Sequence, residues 1–270
     1  MPDTKKSIIE IVDVHAHLCD CSFEDDMEEV LERARQAGVC AVISVGENPS
    51  DAKRNLELAA KYRMIKPAAG LYPTNPDYHE AEKVCELVRR ERQELVAIGE
   101  VGLDYWKVKD DEGRAIQREI FSFFIDLAIE LDLPLNVHSR SAGRYCISLL
   151  LEKGARKVLM HAFDGKASTA MPAVEAGYFF SVPPSVVRSR QKQKLVKELP
   201  LSCLLLETDS PVLGPLPGER NEPSNIIHSV KAIAEIKAVS QEKVLEAALH
   251  NSKILFGLLE DDANPAKILD

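Results

Sequence analysis

The chain has 270 residues, enough for one large α/β domain or two small ones, and carries 34 Lys plus Arg against 43 Asp plus Glu, a formal net charge of −9. That balance excludes a global basic field for gathering nucleic acid, so any such contact must be local and the salt dependence of binding shallow. No apolar run reaches the length of a bilayer span and the MPDTKKS start lacks a signal-peptide core, which predicts a soluble, cytoplasmic protein with no membrane contact.

In chain order, short apolar runs alternate with longer amphipathic segments, the βα pattern. The first strand is predicted over Ile8 to Leu18, IIEIVDVHAHL, a β-branched run that ends in His15 and His17. Alternate side chains of a strand share a face, so both imidazoles point the same way, and burying them is costly unless something binds them. Phe23 to Ala37 sets Met27, Val30, Leu31 and Ala34 at helical spacing, and Gly38 stops that helix before a strand over Val39 to Val45. A helix from Asn48, a strand around Lys66 to Leu71, the YPTNP loop, a helix from Tyr78 to Arg92 and a strand over Leu95 to Glu100 follow. Gly113 to Leu131 carries Ile116, Ile120, Phe123, Phe124, Leu127 and Leu131 at helical spacing. Beyond it come strand Leu135 to His138, helix Ser141 to Lys153, strand Lys157 to His161, helix Ser168 to Ala176 and strand Tyr178 to Val182. Helix Gln191 to Leu199, strand Leu201 to Glu207, and closing helices Asn225 to Val239 and Gln241 to Leu258 complete the chain.

Eight strands alternating with helices predict a single (β/α)8 TIM-type barrel domain over residues 1–270 rather than an open doubly wound sheet, and no GxGxxG or GxxxxGK[ST] follows the first strand. The long irregular connection Pro211 to Ser224 lies where barrels place functional loops. The six cysteines form no CxxC pair and read as reduced packing residues. In a barrel all C-terminal strand ends meet at one mouth. There the sequence supplies His15, His17, Glu100, His138, His161, Glu207 and Asp209. Each alone is more often a hydrogen-bonded core residue than a ligand; together, a polar cluster of this size calls for a cation. His79, His228 and His250 fall in loops or helices and receive no role.

The stretches VDVHAHL, AIGEVGLDY, NVHSR, HAFDG, ETDSP, RNEP and NSKILFGL resemble the TatD family of metal-dependent deoxyribonucleases, within the wider metal-dependent hydrolase barrels, over nearly the whole chain. HSRSAGR, AGYFFSVPPS and QKQKLVKELPL resemble the third TatD-domain paralogue of animals in particular. The resemblance implies that His15, His17, Glu100, His138, His161 and Asp209 hold two divalent ions, with Glu100 the bridge and Asp209 the base that takes a proton from water. Zn, Mn, Mg and Fe all remain open. Glu207 reads as support for a ligand rather than a ligand. Arg140 in HSR and Arg220 in RNEP are phosphate-clamp candidates, because a guanidinium matches phosphate oxygens in a fork. The chain departs from the family where GxHP reads GLYP, leaving Tyr72 as a substrate contact able to stack on a base or bond a phosphate. The expected activity is phosphodiester hydrolysis on DNA, at ends or damaged sites, with no obligate protein partner. The alternatives are an amidohydrolase of small amides, lactones or aminated rings, and a non-catalytic binding relic, to which an intact ligand set is contrary.

Overall fold

The computed structural model describes residues 10–74 and 76–258. The predicted start of the first strand at Ile8, and the extreme ends of the predicted domain, lie outside them. Eight strands pair in sequence order, each parallel to the next: β1 (Ile11–Ala16), β2 (Val39–Ser44), β3 (Ile65–Ala69), β4 (Ala97–Gly102), β5 (Leu135–His138), β6 (Val158–Met160), β7 (Phe179–Val182) and β8 (Leu204–Leu206). The seam between β8 and β1 is bridged just past the strand end, where Asp209 N donates to His15 O at 2.8 Å and His17 N donates to Ser210 O at 2.7 Å. The result is a nearly closed (β/α)8 barrel.

The helices are α1 (Met27–Gln36), α2 (Pro49–Lys61), α3 (Tyr78–Arg90), α4 (Asp111–Leu131), α5 (Gly143–Lys153), α6 (Ala167–Glu175), α7 (Arg190–Glu198), α8 (Ile226–Lys237) and α9 (Gln241–Phe256). Their boundaries follow local chemistry. Asn48 caps α2 by accepting from Ser50 N and Asp51 N ahead of Pro49, and Asp110 caps α4 by accepting from Gly113 N, so that helix starts two residues before the predicted Gly113. Two segments differ from the periodicity. Cys21–Phe23 forms a short 3-10 turn, and the first helix begins only at Met27; Leu201–Cys203 likewise forms a 3-10 turn, which shortens β8 to three residues. No helix among the described residues is long and apolar enough to cross a membrane.

Two apolar layers make the core. Helix-facing strand residues such as Ile11, Ala16, Ile98 and Val101 join the inner faces of the helices, while Val12, Val14, Ala97, Leu159, Phe179 and Leu205 fill the barrel interior. The alternation is broken twice, at consequential places. Ile98 and Val101 are three residues apart yet share the outer layer, and the β4–β5 ladder shifts register between them. Val14 lies inside and Ala16 outside, and the β1–β2 ladder shifts between Asp13 and Ala16. Each irregularity adds a residue to one strand and re-aims its neighbours, and these two turn Glu100 and His15 inward.

Candidate metal centre

The mouth of the barrel holds a cavity of about 460 Å³ whose lining includes His17, Glu100, His138, His161 and Asp209. His15 completes the cluster beneath it, fully buried. Glu100 is at the centre. Its Oε2 lies 3.6 Å from His15 Nε2 and 3.5 Å from His17 Nε2, and its Oε1 lies 2.7 Å from His138 Nδ1 and 2.8 Å from His161 Nε2. The close approach of β4 to β5 that this requires depends on Gly102, with φ of 146°, where a Cβ would meet His138 O at 2.0 Å.

The ligand atoms fall into two overlapping sets. On one side His15 Nε2, His17 Nε2 and Asp209 Oδ1 are mutually 3.3, 3.5 and 3.3 Å apart. Four donors held ~2.1 Å from a tetrahedral ion stand about 3.4 Å from one another, so these three atoms match the spacing such an ion needs, and Glu100 Oε2 stands 3.6 and 3.5 Å from the two ring nitrogens. On the other side are Glu100 Oε1, His138 Nδ1 and His161 Nε2, the two ring nitrogens 3.4 Å apart. Each set can hold a divalent cation.

Neighbours decide which nitrogen faces the cluster. Asn136 Nδ2 donates to Val14 O at 2.9 Å, which leaves its Oδ1 to accept from His15 Nδ1 at 2.8 Å. His15 Nε2 therefore presents its lone pair to the centre. His138 donates from Nε2 to Asp104 Oδ2 at 3.1 Å, so Nδ1 faces Glu100. His161 Nδ1 is buried with no hydrogen-bond partner, 3.6 Å from Glu207 Oε2; Glu207 itself accepts from Ser181 Oγ at 2.5 Å and from Ala162 N at 2.9 Å. Glu207 is thus fixed behind His161, the supporting place the sequence suggested.

The electrostatics are those of a cation site balanced by protons. Burial, and then the charge of His161, holds the His15 ring down to about 3. Burial alone would lower His17 as well, but its hydrogen bond to Asp209 and the charge of Glu100 outweigh it and raise the ring to about 9. At Glu100 burial favours the acid, and the His161 and His138 charges reverse this and hold the carboxyl well below its ordinary range. A bound cation takes the place of these protons, since ligands must release them to coordinate. The chemistry of the donors and their spacing therefore both fit a divalent metal.

The structure brings five sequence-nominated side chains to the cavity wall beside the buried His15, and it places Tyr72 and Arg140 there too. The Tyr72 ring packs edge-on to His138, centroids 4.8 Å apart. Arg220 is a correction. Its guanidinium binds Asp26 through Nη1 at 2.8 Å and Nη2 at 2.5 Å, and it borders a separate surface cavity rather than the mouth. The RNEP segment is a staple: Asn221 Nδ2 donates to Thr208 O and Val212 O, and Glu222 accepts from Arg33. Cys19 and Cys21, close in sequence to the histidines, stay out of the cluster; the Cys19 thiol faces Val45 O and Cys21 is exposed.

Sequence reasoning missed three groups. Asp104 and Asn136 orient ligands, and Glu47 stands 3.9 Å from His17 Nδ1. Lys192, in the basic segment after β7, also lines the cavity, with Nζ 2.9 Å from Ala162 O. A signal for Asp104 was present, in the carboxylate four residues beyond Glu100 within AIGEVGLDY. Asp104→Asn is expected to weaken metal affinity about 10- to 100-fold, the usual cost of losing a carboxylate behind a ligating histidine, as read by titrating metal into stripped protein. Unchanged affinity would remove Asp104 from the centre.

Comparison with known proteins agrees with this geometry. The family model described as TatD related DNase matches residues 12–257. The chain is 45% identical to deoxyribonuclease TATDN3 of Homo sapiens over 258 residues, covering 91% of this chain and 94% of that protein. It is 35% identical to the uncharacterized metal-dependent hydrolase YabD of Bacillus subtilis (strain 168) over 254 residues, 91% of this chain and 98% of that one. Among solved structures, the TatD homolog YJJV of Escherichia coli K12 superposes with a TM-score of 0.86 at 28% identity, covering 93% of this chain and 99% of that chain. The matched range contains every residue of the histidine and carboxylate cluster, and the chain belongs to the TatD family of metal-dependent hydrolases.

Proposed function

We propose that this protein hydrolyses phosphodiester bonds in DNA with two divalent cations, one held by His15, His17 and Asp209, the other by His138 and His161, and both by Glu100. The observation that carries this reading is the placement of Glu100, whose two oxygens each serve one histidine pair. Divalent ions there supply Lewis acidity, which lowers the pKa of water and stabilises charge on a phosphate in displacement.

The remaining work falls to the chain. Asp209, with Oδ1 3.3 Å from His17 Nε2 at the cavity floor, is placed to accept the proton lost by the attacking water. Arg140 and Lys192, both on the cavity wall, orient and neutralise the phosphate, and Tyr72 sets the position of the group next to it. Asn136 and Asp104 keep His15 and His138 from turning, and Glu207 stands behind His161, so the ligand atoms are in place before substrate arrives. A cavity of about 460 Å³ has room for a nucleotide rather than a continuous duplex, which favours ends and lesions. The human relative's name, deoxyribonuclease TATDN3, supports the same substrate class.

The test is a parallel panel: metal-loaded protein with end-labelled single-stranded, blunt duplex and abasic oligonucleotides, beside small amides and lactones. Cleavage of the oligonucleotides, fastest at ends or abasic sites, is expected. Turnover of the amides or lactones with intact oligonucleotides would replace this reading with the amidohydrolase one.

A further inference from the structure

A strand that leaves phosphorus as an alkoxide needs a proton, and the proposed base, Asp209, stands at one end of the ligand cluster only. Its Oδ1 lies 3.5 and 3.3 Å from the Nε2 atoms of His15 and His17, the nitrogens that face Glu100 Oε2. Glu47 belongs to that same end, 3.9 Å from His17 Nδ1. At the other end Glu100 Oε1 faces His161 Nε2 at 2.8 Å, and there Lys192 reaches the cavity wall. Its Nζ donates at 2.9 Å to the carbonyl of Ala162, the residue after His161, and its backbone N donates to the capping Ser189 Oγ at 3.3 Å in the first turn of α7. The other donors of the wall outside the ligand set are poor acids. Arg140 keeps its proton at any ordinary pH, burial pushes the Tyr72 hydroxyl further up, and the Ser139 hydroxyl is no stronger an acid than the alcohol being formed. Lys192 differs from them. Burial lowers its ammonium below the ordinary lysine value and Arg188 presses the same way, while the charges of Glu207, Asp209 and Asp164 favour the protonated form.

We propose that Lys192 protonates the leaving oxygen, the acid that partners Asp209 as base, so that the departing strand is released as an alcohol at the His161 end of the centre. The proposal rests on the DNA-hydrolase reading and deepens it. As the oxygen of water bonds to phosphorus, its proton passes to Asp209. The bond from phosphorus to the strand's oxygen breaks, its electron pair stays on that oxygen, and the oxygen takes the Nζ proton. Lys192 is left neutral and regains a proton from solvent, to which Asp209 releases its own. Acid and base at opposite ends of one bridging carboxylate suit an in-line displacement, in which the entering and leaving oxygens lie on opposite sides of phosphorus. An ammonium whose pKa is lowered toward the working pH gives up its proton more readily than a solvent-exposed one.

The test varies the leaving group. Metal-loaded, full-length protein is given oligothymidylates that end either in an ordinary nucleotide or in a p-nitrophenyl phosphodiester, whose phenolate departs without a proton. Each pair is made at the 3′ end and at the 5′ end, so either direction of cleavage is covered. In Lys192→Ala, kcat on ordinary ends should fall roughly 100- to 10,000-fold, the usual contribution of a positioned acid, and kcat on nitrophenyl ends should change far less. Lys192→Arg keeps the positive charge but has no proton to release, so KM should stay near the wild-type value while kcat on ordinary ends falls as in the alanine variant. Melting curves check that both variants fold. Equal losses on the two kinds of end, or wild-type kcat on ordinary ends in Lys192→Arg, would overturn the acid and leave Lys192 a phosphate clamp. Failure of the wild-type protein to cleave any of the strands would instead remove the hydrolase reading, and the acid with it.

Discussion

Glu100→Gln is expected to lower turnover by more than about 100-fold, beyond the 10- to 100-fold that loss of even an outer partner of a metal ligand costs. The amide keeps the volume of the side chain but replaces one acceptor oxygen with an NH2 group, which cannot coordinate, and removes the charge that lets two cations sit close together. Glu100 is 1% exposed, so the substitution acts at the centre of the cluster. His138 and His161, whose protonation depends on its charge, revert toward neutral rings, and His138 keeps its hydrogen bond to Asp104. The fold should therefore survive while metal content falls. Steady-state kinetics, elemental analysis and a melting curve on the one variant read all three; normal turnover would show that Glu100 is not the bridge.

Much of the fold was legible in the sequence because each strand is a short apolar run and each helix keeps its period, with stops at Gly38, Gly154 and Gly177. The departures have local causes. Asp20 accepts from Ser22 N and draws Cys21–Phe23 into a 3-10 turn, and Pro200 sets off a second one that takes three residues from the front of β8. The convergence of strand ends was also legible, since a parallel barrel leaves them no other place to go.

The inward turn of His15 and Glu100 was not legible. Counting alternate residues from Val12 and Val14, or from Ala97, would send both side chains toward the helices, and only the register shifts of β1 and β4 bring them into the barrel. The pairing of Arg220 with Asp26 was equally hidden, because the partners are far apart in sequence and meet only when the loop after β8 folds over α1. The same holds for Asn136 behind His15. Sequence pattern identifies groups that need a partner; long-range geometry decides which partner they get.

The central claim is that the cluster around Glu100 binds two divalent ions and that hydrolysis depends on both. Its most direct test begins with protein stripped by a chelator and dialysed. Mn²⁺ or Zn²⁺ is then added in steps while bound metal and cleavage of an end-labelled single strand are followed together. Stripped protein should be inactive, because no side chain in the cavity replaces a Lewis acid. Activity should return and level off as binding reaches about two ions per chain, one for each histidine pair. Full hydrolysis in excess chelator, by protein that retains no divalent metal, would contradict the account.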